Sequence, residues 1–140
     1  MNAPVNDPTQ AGTPARVLQL IRMSLVTGVL MFGGITCYLH SQPGWVKPET
    51  EGPVGFVVLG VWAVAAALMF WMVSRYRNAR SRAERATMLI PAWATGEIAA
   101  MAGGVYYFLA DDVTRFVGGL LIFASALILF PIPPDDDARR

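Results

Sequence analysis

One acid stands inside a long apolar run of this 140-residue chain: Glu97, in the stretch AWATGEIAAMAGGVYYFLA. An ionised side chain at the centre of a lipid bilayer costs about 3 kcal/mol on insertion scales, so such a carboxyl is protonated, hydrogen-bonded or bound to a cation. Three chemistries follow. A protonated acid can bond a neighbouring helix, a carboxyl can couple to a proton or cation, and either can meet a partner subunit or lipid. Thr27, at an offset of 70 residues, or Ser24 supplies a hydroxyl if the two segments touch. Tyr106, Tyr107 and Ser125 are further candidates.

A second polar set is Cys37, His40, Asp111 and Asp112. A metal site needs several such ligands converging, and His40 and the aspartates belong to different segments. The sequence predicts neither a metal centre nor a cofactor. One cysteine forbids an intrachain disulfide and a thiol–disulfide relay; one histidine forbids a haem held by two histidines of one chain. No Ser–His–Asp or Cys–His constellation falls at a membrane-buried position. The expectation is a protein that is not an enzyme, with no catalytic residues.

These residues must be positioned by apolar helices. The chain is 54% hydrophobic and 15% charged, with mean hydropathy +0.44; a soluble domain carries about 25% charged residues. A hydrocarbon core about 30 Å thick needs roughly 20 apolar residues in a helix. Four stretches qualify: residues 17–39, with Arg22 snorkelling near its start, 54–73, 87–109 and 113–132. Continuous rather than alternating runs argue against a β-barrel. The sequence therefore predicts an all-α integral membrane four-helix bundle, up-down-up-down, over residues 16–133. Residues 1–15 read as a disordered tail without signal-peptide features, and 134–140 as a polar tail behind Pro131, Pro133 and Pro134.

Charge orients the bundle. Arg75, Arg77, Arg80, Arg82 and Arg85 lie between the second and third spans, against Glu84 alone; Arg16, Arg22, Arg139 and Arg140 join them, leaving Lys47 and Arg115 on the other side. Cytoplasmic loops collect Lys and Arg, so both termini and the middle loop are expected in the cytoplasm, in a bacterial inner membrane. The loop from His40 to Pro53 and the turn at Asp111–Asp112 then face outward. The arginines can also meet anionic lipid head groups; a net charge of +1 gives no bulk reason to expect nucleic acid as a partner.

Small residues predict packing. Ala92, Gly96, Ala100 and Gly104 recur every four residues in the third span, and the first offers Gly33 and Gly34. Trp45, Trp71, Trp93, Tyr38 and Tyr76 suit an interfacial belt, while Trp62 lies deeper. At an offset of 70, Met31, Gly33, Gly34 and Leu39 meet Met101, Gly103, Gly104 and Leu109; at 60, Phe56, Val57, Ala66 and Phe70 meet Phe116, Val117, Ala126 and Phe130. This suggests two tandem hairpins of the same topology.

With IRMSLVTGVLMFGGITCYLHSQ in span one and AWATGEIAAMAGGVYYFLADD in span three, the chain resembles small uncharacterised four-span bacterial membrane proteins that look like two ATP synthase c-subunit-type hairpins in series. The resemblance covers roughly Leu18 to Pro133. In c-subunits the carboxylate stands on the second helix of the hairpin, whereas Glu97 is on the first of its hairpin. Residues and resemblance together lead to the expectation of a non-enzymatic inner-membrane accessory subunit or self-associating bundle. Its partners would be the lipid bilayer and further copies of itself or a larger complex. The alternative is a proton- or cation-coupled transport component using Glu97.

Overall fold

The computed structural model describes residues 14–46 and 53–133. The two tails and Lys47, on which expectations were also placed, lie outside the described residues. The described chain is all-helical, with α1 Ala15–His40, α2 Val54–Asn78, α3 Arg82–Ala110 and α4 Val113–Leu129. The first three are long and apolar enough to cross a membrane. α4 is apolar but has 17 residues, about 25 Å of helix against a core of about 30 Å.

Helix ends depart from the expected bounds for local reasons. α4 stops at Leu129, not residue 132, because Phe130 precedes Pro131 and a residue before proline is pushed out of the α region; Phe130 has φ −119° and ψ 71°. α3 begins at Arg82, five residues earlier than expected. Ser81 caps it, its side chain accepting from the Glu84 N–H at 3.1 Å, while Glu84 Oε2 accepts from the Arg80 N–H at 3.1 Å. That is a close variant of the Ser-x-x-Glu capping box. α2 runs on to Asn78, with Arg75 and Arg77 in its last turn where cations complement the helix dipole.

The early end of α4 leaves carbonyls that lipid cannot satisfy, and each of the other helices sends one donor to them. Arg22 Nη2 of α1 donates to Leu127 O at 3.4 Å, Tyr76 Oη of α2 to Pro131 O at 2.8 Å, and Trp93 Nε1 of α3 to Phe130 O at 3.1 Å. Trp93 is therefore no interfacial belt residue. It is fully buried, in one cluster with Leu18, Met69, Leu89 and Ala126 drawn from all four helices. Arg22, expected to snorkel, turns inward to the same end.

α3 is the hub. It packs along α4 and also carries both α1 and α2, which flank the α3–α4 pair. Of its apolar stretch 44% is buried, against 17% for α1 and 22% for α2. The α3–α4 contact is backbone-close. A Cβ on Gly103 would stand 2.5 Å from Arg115 O, and one on Gly119 2.6 Å from Ala99 O. Trp62 packs on Gly118 of α4 and donates through Nε1 to Ala99 O at 3.1 Å.

The expected stripe divides between partners. All four residues are buried, and because successive fourth residues advance about 40° around a helix, they turn from one partner toward the next. Ala92, Gly96 and Ala100 are buried, and Gly96 lies against Ala126 and Phe123 of α4. Gly104 is buried too, against Phe32 of α1 and Phe116 of α4. Gly33 faces Phe116, whereas Gly34 is exposed with open space where a Cβ would be.

Candidate functional site

Glu97 lies near the middle of α3 on the side turned toward α1. Its Oε1 is 3.5 Å from where a Cβ on Gly28 would stand, and the residue is half-buried. Among the described residues no hydrogen bond or ion pair reaches its carboxyl. Thr27 is exposed and not bonded to it. The other candidate hydroxyls are committed or remote. Ser125 Oγ donates to Leu121 O at 2.8 Å, the Tyr106 ring lies under the Arg115 guanidinium at 4.7 Å, and Tyr107 stacks on His40 at 4.8 Å. Ser24 is exposed. The expected hydroxyl partner for Glu97 is thus not supplied among the described residues, because α1 presents Gly28, not Thr27, to the carboxyl.

The second polar set does come together at the end of the bundle that carries the two-residue turn. His40 closes α1, and its Nε2 is 2.9 Å from Asp111 Oδ1. The imidazole lies between Trp45 (4.2 Å between centroids) and Tyr107, which in turn stacks on Phe116 at 5.7 Å. Its Nδ1 is buried without a hydrogen-bond partner. Asp111 has a left-handed backbone, φ 58°, a conformation that Asp and Asn tolerate better than most residues. That conformation ends α3. Asp112 acts differently. Its carboxylate caps α4, accepting from the Thr114 and Arg115 N–H groups at 3.0 and 3.4 Å. Arg115 then ties in α2, donating from Nη1 to Gly55 O at 2.7 Å, with its Nε 3.5 Å from Asp112 Oδ2.

These contacts fasten helix ends. Cys37 is exposed and makes no hydrogen bond to His40. Among the described residues no three His, Cys, Asp or Glu side chains converge as metal ligands. The sequence places His40 and Asp111 at the same end of the bundle and leaves their convergence open; the structure brings the two side chains into contact.

At the opposite end lie the arginines. Arg75 sits over Trp71 at 4.9 Å, and Arg85 donates from Nη2 to Ala79 O at 3.2 Å with the Tyr76 ring 6.0 Å away. Arg80 gives its backbone N–H to Glu84, and Arg82 opens α3. Arg77 lines a recess with Phe70, Val73, Ser74 and Asn78. No family model, curated protein or solved structure matches this chain.

Proposed function

We propose that the chain is a small non-enzymatic integral membrane protein that acts by contact, as a self-associating bundle or as an accessory subunit of a larger membrane complex. All four helices would cross a bacterial inner membrane up-down-up-down, with both termini cytoplasmic. Supporting this course, Trp62 and Gly55 of α2 meet Ala99 and Tyr106 of α3 in opposite chain directions, while Gly28 and Phe32 of α1 meet Glu97 and Gly104 in the same direction. Large apolar side chains point outward, among them Leu20, Leu30, Phe56, Phe70, Leu121 and Ile128; lipid satisfies such faces where water does not.

The observation that carries the contact function is the incompleteness of the Glu97 site. A half-buried carboxyl at mid-helix without a partner among the described residues calls for one from outside the chain. Light scattering in mild detergent tests this. The wild type is expected above monomer mass, and Glu97→Leu at monomer mass with unchanged helix content. A wild-type monomer, or a Glu97→Leu variant of wild-type mass, rejects self-association through Glu97.

The same unpartnered carboxyl supports one other reading, proton- or cation-coupled transport. A carboxyl can release and rebind a proton and a carboxamide cannot, so Glu97→Gln would abolish ion flux in proteoliposomes while leaving the mass unchanged. Orientation has its own test. In a Cys37→Ser background, Ser81→Cys should resist an impermeant thiol reagent added outside cells, and Ser41→Cys should react. Labelling of Ser81→Cys alone reverses the orientation.

A further inference from the structure

The last two turns of α2 carry a recess of about 280 Å³ lined by Phe70, Val73, Ser74, Arg77 and Asn78. The spacing i, i+3, i+4, i+7, i+8 puts all five on one helix face. That face changes character along its length: Phe70 and Val73 are apolar, Ser74 brings a hydroxyl, and Arg77 and Asn78 bring guanidinium and amide donors. Phe70 is 80% exposed, so the apolar end opens outward.

We propose that this recess binds the phosphate of an anionic phospholipid, with the lipid's chains running down over Val73 and Phe70. The proposal rests on the reading of the chain as a membrane protein. Charge is the first support. Among the described residues Arg77 has no ion pair, hydrogen bond or ring contact, although five arginines and one glutamate crowd residues 75–85, and Glu84 is already engaged at the start of α3. A guanidinium presents a planar fork of donors matched to phosphate oxygens.

Depth is the second support. Trp71, half exposed and carrying Arg75 over its ring, is the type of side chain that sits at head-group level, and it lies within one turn of Ser74. Size is the third. The recess is at the lower edge of small-ligand sites, ~300–1,000 Å³, which suits a head group and the first chain carbons. The carbonyl end of α2 repels an anion with roughly half a charge, and the full charge of Arg77 outweighs it.

The test is native mass spectrometry of the full chain in mild detergent, offered equal phosphatidylglycerol and phosphatidylcholine. The wild type should retain phosphatidylglycerol preferentially. Arg77→Gln should lower that retention about fivefold, the effect of one basic side chain at an anionic surface, while Arg80→Gln, which removes the same charge outside the recess, should not. Ser74→Leu fills the recess without changing charge and should also lower retention. Excess inorganic phosphate should fail to displace the lipid. Equal retention of both lipids, equal loss in Arg77→Gln and Arg80→Gln, full retention in Ser74→Leu, or displacement by phosphate alone each overturns the proposal. Carbonate extraction of membranes separates this failure from failure of the membrane reading, since only the latter releases the protein.

Discussion

The two halves of the molecule share a sequence pattern and differ in how they pack. α3 and α4 are joined by Asp111 and Asp112 and lie so close that Gly103 and Gly119 have no room for a methyl group. α1 and α2 are joined by a longer segment, and each docks chiefly on α3 instead of on the other. Glycines distinguish the halves. In α3–α4, Gly103 and Gly119 stand where the two backbones meet, whereas Gly34 of α1 and Gly60 of α2 have open space beside them. A small residue permits close approach only when a partner lies on its side of the helix. Composition and offset repeats do not carry that information.

The largest expected effect would break this contrast at its centre. Gly103→Ala or Gly119→Ala sets a methyl against backbone that cannot rotate away, and overpacking of this kind costs about 1–3 kcal/mol or more. Gly34→Ala and Gly60→Ala should instead be neutral or stabilising by about 0.5–1 kcal/mol, since alanine loses less conformational freedom in a helix. Denaturant titration in detergent micelles compares all four. Equal losses in the two pairs would mean that the halves are equally packed.

What is legible in the sequence follows the range of the interactions. Helices and the Asp111–Asp112 turn depend on local apolar runs and caps, and they lie close to where the sequence places them. The end of α4 depends on Phe130–Pro131, and the start of α3 on Ser81 and Glu84. Both signals are local, but hydropathy alone passes over them, because it weighs neither caps nor the residue before a proline. Trp93 misleads because a tryptophan near a helix start looks interfacial; only the early end of α4 creates the carbonyl that draws it inward. Which residue meets His40 within its polar set, and which faces Glu97, is undecided in the sequence for a different reason. Both depend on the rotation of α1 against α3, and one residue of rotation decides whether Thr27 or Gly28 faces the carboxyl.

A smaller effect sharpens the comparison at the Asp111–Asp112 turn. Asp111 belongs to the tight half and His40 to the loose one, so their 2.9 Å contact is a fastening between the two. Asp111 is half exposed, and water screens such a pair. A double-mutant cycle of His40→Phe and Asp111→Asn should give a coupling of about 0.5–1 kcal/mol. Asparagine tolerates the left-handed backbone, so the cycle isolates the side-chain contact. Hydrogen exchange should quicken at the end of α1 and stay unchanged along α3–α4. Faster exchange in α4 would show that the turn depends on α1.

The smallest expected effect is at Glu97, where the halves face each other. Its carboxyl has no hydrogen bond or ion pair within the described chain, so the stability of a single chain should scarcely register it. Glu97→Gln keeps shape and polarity, and unfolding in detergent dilute enough to leave monomers should shift within about 0.5 kcal/mol. Glu97→Leu removes a polar group that no partner among the described residues satisfies, so monomer stability should hold or rise. A loss of about 1–2 kcal/mol in both variants would reveal a bond between α3 and α1, and the two halves would then be joined at mid-helix as well as at their ends. A loss only in Glu97→Leu would have a different meaning: glutamine can replace the acid as a hydrogen-bonding group, so the bond would be neutral and need no ionised carboxylate. Silence in both variants, with a change in assembly mass, would place the group's partner on another chain.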